Sequence, residues 1–209
     1  MSEAKEKQPK QKKSFFYIIA RFLAAIVFHT LAPVFYHGKE NIPGELPYII
    51  IANHSSFMDP VIMAYAIKKH DVTFLGKKEL IKNKLASFIL RNMHIIPVER
   101  HSTDMAAMRA CVSALRNQQI LGIFPEGTRH HQGLMEEIEG GVAMIALRSG
   151  APVIPMYITP KFRMFHRTDC YIGSAIPTED LRQQGVNKET CQELLERITA
   201  TYAAMAKQK

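Results

Sequence analysis

The chain has 209 residues, 47% of them hydrophobic, and a formal net charge of +8 from 27 basic and 19 acidic side chains. That apolar content supports one domain with a real core and excludes a chain disordered throughout. The basic surplus calls for an anionic partner (nucleic acid, anionic lipid or a phosphorylated substrate), while three scattered cysteines, Cys111, Cys170 and Cys191, argue against a disulfide framework or a thiolate zinc site.

Residues 1–13 are polar and carry Lys5, Lys7, Lys10, Lys12 and Lys13, which reads as a disordered basic tail. Residues 14–37 change abruptly. From Phe15 to Tyr36 the only full charge is Arg21, and Pro33 interrupts the end. A signal peptide would carry Arg21 inside its apolar run. A spanning helix from Phe15 to Ala32 would reach only about 27 Å at ~1.5 Å per residue. A monotopic anchor would lie in one leaflet with Arg21 reaching the headgroups, and an ordinary core helix is the fourth reading. The lysines favour a cytoplasmic N-terminus, and a full span would carry everything after residue 37 across the membrane. The expectation is therefore a membrane-associated helical segment lying on the cytoplasmic face.

From residue 38 onward, short β-type runs alternate with helical stretches. Tyr48–Ala52, Val72–Leu75, His94–Val98, Ile120–Phe124, Val153–Ile158 and Cys170–Ile176 read as strands. Pro60–Lys69, Glu79–Arg91, Thr103–Gln118 and Lys188–Lys207 read as helices. The alternation predicts an α/β domain over 38–209, with a largely parallel central sheet flanked by helices.

Three segments carry candidate chemistry. Asn53-His54-Ser55-Ser56-Phe57-Met58-Asp59-Pro60 follows the first of those strands. A carboxylate beside one imidazole nitrogen fixes the tautomer and leaves the other nitrogen to take a proton. The same residues also suit a plain helix start, with Asp59 as cap and Pro60 in the first turn. Phe124-Pro125-Glu126-Gly127-Thr128-Arg129 follows another strand. Gly127 permits a tight turn and Arg129 can pair with phosphate, although proline and glycine punctuate ordinary loops as well. Ile95-Ile96-Pro97-Val98-Glu99-Arg100 ends in an arginine whose bland reading is a solvated surface residue. All three segments lie at carboxyl ends of predicted strands. In a parallel sheet those ends share one edge, where ligands bind.

These blocks resemble those of the PlsC-type 1-acylglycerol-3-phosphate acyltransferases, within the glycerolipid acyltransferases. Asn53-His54 to Asp59 matches N-H-x-x-x-x-D, Ile95 to Arg100 resembles the second block, and Phe124 to Arg129 matches F-P-E-G-T-R. Ala151-Pro152-Val153-Ile154-Pro155 resembles the fourth, and all fall in family order. The resemblance implies a glycerol-3-phosphate acyltransferase-like fold, His54 as base and Asp59 as its partner. It implies Arg100 as a phosphate ligand, Glu126, Gly127, Thr128 and Arg129 at the acceptor site, and Lys77 and Lys78 as further basic residues. Pro152, Val153, Ile154 and Pro155 would pack and shape the acyl pocket. The family's basic stretch after F-P-E-G-T-R is replaced here by Met135-Glu136-Glu137-Ile138-Glu139-Gly140, with His130 and His131 nearby.

The function so implied is transfer of an acyl group from an acyl thioester, acyl-CoA or acyl-ACP, to the free hydroxyl of 1-acyl-sn-glycerol 3-phosphate. Another lysophospholipid or glycerol 3-phosphate is the alternative acceptor. The partners implied are a membrane surface, the lysophospholipid and the thioester donor, with no metal or other cofactor and no nucleic acid. The oxyanion donors are unassigned, the segment around Gly127 being one option. Two rival classes remain. A non-catalytic basic binding protein leaves the ordered blocks unexplained, and no nucleic-acid recognition motif is present. A cysteine-based transferase would need a reactive thiol, whereas Cys111 lies in a helical pattern.

Overall fold

The computed structural model describes residues 15–67, 70–78, 94–99, 104–129 and 138–207, with Phe16 and Lys77 described by backbone alone. The expected basic tail, the helix Glu79–Arg91, Arg100, His130, His131, Glu136 and Glu137 lie outside the described residues.

Apolar residues dominate the centre of a seven-stranded sheet. Its strands are β1 (Val34–His37), β2 (Tyr48–Ala52), β3 (Val72–Lys77), β4 (Ile95–Val98), β5 (Ile120–Ile123), β6 (Val153–Ile158) and β7 (Thr168–Ile172), in the order β1-β7-β6-β2-β5-β3-β4. Strands β6, β2, β5, β3 and β4 are mutually parallel; β7 runs antiparallel to β6, and β1 runs parallel to β7. The largely parallel sheet expected from the alternation is therefore a five-stranded parallel core with a reversed pair at one edge.

Every residue of β2 is buried, as a strand covered on both faces requires. Its side chains alternate between two cores. Ile49 and Ile51 pack with α3 (Met105–Arg116), α4 (Gly141–Ser149) and α6 (Lys188–Lys207), through Leu115, Ile145 and Ile198 among others. Tyr48, Ile50 and Ala52 pack with Ala24 and Phe28 of the N-terminal segment and with Ile62 and Met63 of α2 (Asp59–Ala66). A short α5 (Glu179–Gln183) completes the first layer through Leu181.

Helix α3 starts where chemistry dictates. Asp104 caps it by accepting from the Ala106 and Ala107 N–H groups at 3.0 and 2.9 Å. These backbone donors, joined by the Glu99 N–H, hold its carboxyl below the usual range. Helix α4 ends on Gly150 at φ 71°, a left-handed C-cap. The sequence reading misses α4, because its Gly-Gly start looks like a loop and nine residues, with Arg148 their one charge, carry little helical period.

The N-terminal segment departs from the expectation of one helix through residue 37. Helix α1 (Phe15–Ile26) runs into a π-helical turn, Val27–Leu31, and the chain then enters β1. Pro33 lacks an N–H and disfavours helix at Ala32, and Val34-Phe35-Tyr36 are strand formers. Tyr36 secures the new direction by donating its hydroxyl to the Ile62 carbonyl at 2.8 Å. No helix among the described residues is long and apolar enough to cross a membrane. Arg21 does not reach outward as the monotopic reading expected. Its guanidinium donates to the Ile67 carbonyl at 2.5 Å, tying α1 to the end of α2. Tyr17, on the same face, accepts from the Val72 N–H at 2.9 Å.

Candidate active site

The loop leaving β2 is held by side chains at the end of the β2–β6 ladder, whose register runs to Ala52↔Met156. Ile49 donates to Pro152 across the register Ile49↔Val153, so a regular parallel ladder would bring the Ile51 carbonyl to the Met156 N–H. The Tyr202 hydroxyl reaches both groups, accepting from Met156 N–H at 3.2 Å and lying 2.6 Å from the Ile51 carbonyl, to which it donates. One step on, the Asn53 carboxamide accepts from the Ile158 N–H and donates to the Ile158 carbonyl, both at 2.8 Å. Asn53 thus acts as a strand residue through its side chain, and its own backbone is released to turn. Neither clamp was read from the sequence; the asparagine directly after an all-apolar strand was the available signal for one of them.

Asn53→Ala is expected to lower folding stability by about 2–4 kcal/mol, since two buried backbone groups of Ile158 lose their partners at ~1–3 kcal/mol each. Urea denaturation measures it. A loss under about 0.5 kcal/mol, the size of a neutral surface change, would mean that the clamp is dispensable.

The turn delivers His54 between two buried carboxylates. Its Nδ1–H donates to Asp59 Oδ2 at 3.0 Å, and Asp59 is fully buried. The same oxygen accepts from the Ser55 and Ser56 N–H groups at 2.6 and 2.7 Å. Asp59 therefore folds back on the loop. The N-cap of α2 is Met58, with no side-chain cap bond, so the plain helix-start reading of Asp59 does not hold. With Nδ1 engaged, Nε2 has no hydrogen-bond partner among the described residues and is the basic face of the ring. The ring stacks on Phe124, centroids 4.4 Å apart and planes 29° apart, and is 16% exposed. It is fixed in plane yet reachable.

Glu126 fixes the same residue from the other side. Its Oε2 accepts the His54 backbone N–H at 2.8 Å, while Oε1 is buried without a partner. Burial, with the nearby Asp59 charge adding to it, pushes its carboxyl up from 4.5 to about 7, although the His54 N–H opposes the shift. The folded carboxyl thus keeps its proton to higher pH than the unfolded one. Its contribution to stability is fully present below about pH 4.5 and is lost as pH rises through about 7. Glu126→Gln is expected to flatten that decline, measured as the urea midpoint across pH 4.5–8 (about the span of that titration). An unchanged slope would place the titration elsewhere.

The turn after β5 is tight. Gly127 sits at φ 63°, its N–H donating to the Phe124 carbonyl at 3.1 Å, and the Thr128 N–H donates to the Glu126 carbonyl at 2.7 Å. A Cβ on Gly127 would come within 3.1 Å of the Glu139 carboxylate, so one of the acidic residues after the motif lies directly over this turn. Both N–H groups are engaged within the turn, which removes them as ready oxyanion donors. Thr128 and Arg129 are exposed, and the Arg129 guanidinium lies 3.5 Å above the ring of Phe57, itself 79% exposed.

The structure thus brings together His54, Asp59, Glu126 and Gly127, with Thr128 and Arg129 at the rim. It does not bring Lys78 there as a free cation, since its ammonium pairs with Glu99 at 2.5 Å. The Lys77 side chain and Arg100 lie outside the described residues. Val153, Ile154 and Pro155 are buried in β6, paired with Ile49, Ile50 and Ile51, three to five residues back along the sheet from His54, while Pro152 is exposed. They are core residues. An apolar strand block fits a buried central strand as readily as a pocket wall, which is why the sequence could not separate the two.

The cysteines offer no nucleophile. Burial pushes the Cys111 thiol up to about 12 and raises those of Cys170 and Cys191 as well. Among the described residues no group of three His, Cys, Asp or Glu side chains could hold a metal ion.

Residues 33–159 match a protein-family model described as Acyltransferase. The chain is 29% identical over 119 residues to a 1-acyl-sn-glycerol-3-phosphate acyltransferase of Bacillus subtilis, covering 57% of this chain and 59% of that protein. It is 27% identical over 195 residues to the protein of the same name from Streptococcus pneumoniae, covering 90% and 72% respectively. Its fold is similar to the crystal structure of the 1-acyl-sn-glycerophosphate (LPA) acyltransferase PlsC of Thermotoga maritima, with a TM-score of 0.68 at 24% identity over 91% of this chain and 79% of that one.

Proposed function

From the premise that this chain belongs to the acyltransferase family, whose model matches residues 33–159, we propose that it acylates the free hydroxyl of 1-acyl-sn-glycerol 3-phosphate, giving phosphatidic acid. The observation that carries the reading is the His54–Asp59 pair, a partly exposed imidazole whose Nδ1–H is held by a buried carboxylate at 3.0 Å. Nε2 takes the hydroxyl proton as the oxygen attacks the thioester carbonyl carbon. The C–S bond then breaks, and the imidazolium returns the proton to the leaving thiolate. Asp59 stabilises the imidazolium between these steps, and Glu126 fixes the backbone from which the ring hangs. No metal or other cofactor enters; acyl-CoA or acyl-ACP is a co-substrate.

Arg129 is the described cation best placed for the acceptor's phosphate, two residues beyond the turn that carries Glu126 and Gly127. Arg100 and Lys77 join it on the family resemblance. The enzyme works at the cytoplasmic face of a membrane, with α1 lying along it. Phe15, Ile18, Ile19, Phe22, Leu23 and Ile26 all stand exposed on that helix, a surface that water disfavours and a lipid interface accepts.

The test is an acyl-transfer assay with purified protein. It offers lysophosphatidic acid, glycerol 3-phosphate and zwitterionic lysolipids, each with acyl-CoA and acyl-ACP. Phosphatidic acid from lysophosphatidic acid is expected as the fastest product. Faster acylation of another acceptor, or none of any, would overturn the assignment.

A further inference from the structure

The loop between β6 and β7 is built unlike a solvated connection. Residues 159–167 read Thr-Pro-Lys-Phe-Arg-Met-Phe-His-Arg, with no acidic residue. The His166 N–H closes a turn on the Arg163 carbonyl, and the two residues at its tip are Met164 and Phe165, 53% and 75% exposed. Phe165 holds φ at 63°, a conformation that a bulky residue rarely adopts and that something must hold in place. The holding contacts are visible. Its N–H donates to the Leu31 carbonyl at 2.6 Å, and Phe162 packs its ring edge-on to Phe28, centroids 6.4 Å apart. The loop is thereby seated on the end of the same helical segment whose outer face carries the exposed α1 side chains.

We propose that Met164 and Phe165 form a second insertion point into an anionic lipid bilayer, continuous with α1; this rests on the reading of the protein as a membrane-surface enzyme. Charge chooses the occupant. Lys161 and Arg163 flank the tip, both exposed and without an acidic partner among the described residues, whereas Arg167 is already held by Asp169 at 2.6–2.8 Å. α1 and its π-turn also lack acidic residues. Two apolar side chains at a turn tip, ringed by unpaired cations, suit anionic headgroups above a hydrocarbon layer. Attachment at two separated points also fixes the domain's tilt, which one helix lying in the interface leaves free to roll.

The chain contains no tryptophan, so Phe165→Trp is a clean reporter in the full-length protein. Mixed with vesicles of phosphatidylglycerol and phosphatidylcholine, it is expected to blue-shift and to be quenched by brominated acyl chains. Val186→Trp, in the segment between α5 and α6 on the opposite layer, is expected to do neither. Met164→Ser/Phe165→Ser is expected to weaken vesicle binding about ten-fold or more. Its turnover of a dispersed short-chain acceptor should stay at the parent level. If the Phe165→Trp emission stays water-like while the protein still sediments with vesicles, the inference falls and membrane attachment through α1 stands. If the intact protein does not sediment with vesicles at all, both fall. Self-association that the double variant abolishes, with no vesicle binding, would mark a contact between copies of the chain and overturn the inference as well.

Discussion

His54→Ala is expected to lower kcat by about a hundred- to ten-thousandfold while the protein stays folded. The ring is the one group at the site with a nitrogen held by a buried carboxylate and its other nitrogen without a partner among the described residues. Removing it leaves a hydroxyl that must attack with its proton still in place. The fold should survive. The backbone N–H of residue 54, which Glu126 holds at 2.8 Å, is present in the alanine variant, and the asparagine clamp on Ile158 is untouched. The comparison is steady-state turnover alongside the urea midpoint. A folded variant with near-normal turnover would remove His54 from the chemistry.

Asp59→Asn is expected to cost about a thousandfold or more in kcat, on the scale of such substitutions in acid–base triads. Oδ2 of Asp59 receives three N–H donors, from His54, Ser55 and Ser56. An amide can either turn its NH2 group toward those donors, which clash with it, or keep its oxygen there without the charge that stabilises an imidazolium. The first outcome favours the wrong tautomer of His54, and both leave its conjugate acid without support. The acceptor's KM should hardly move, because Asp59 is fully buried and acts through the His54 ring. A loss confined to stability, with kcat per folded molecule within tenfold of the parent, would make Asp59 a loop brace and nothing more.

The central sheet was legible in the sequence where burial made it so. Tyr48–Ala52 and Val153–Ile158 are unbroken apolar runs, and the structure gives those same bounds to β2 and β6. The N-terminal segment was harder, because an apolar run with a single charge looks alike in a membrane and against a sheet. Only the buried polar contacts of Tyr17 and Arg21, which depend on residues some fifty positions away, separate the two faces of α1. Strand β1 was missed for a related reason. Four residues after Pro33 carry too little period of their own and become a strand by pairing with Thr168 to Tyr171. At the site, spacing suggested that His54 and Asp59 meet. It did not show that Asp59 also closes the loop, that Glu126 serves the His54 backbone, or that the Gly127 turn uses its own N–H groups. Those are matters of which backbone donors remain unpaired once the chain is folded. The Lys78–Glu99 pair shows the converse, a cation expected at a phosphate and found beside a carboxylate two strands over from β2.

The central claim is that acyl transfer is direct, with His54 as base and no covalent acyl-enzyme. It is tested by following thiol release from an acyl thioester in a single turnover, with and without lysophosphatidic acid, in the parent protein and in His54→Ala. The account predicts release only when the acceptor is present, and only in the parent. A stoichiometric burst of thiol without acceptor would contradict it, because some side chain would then be taking the acyl group first.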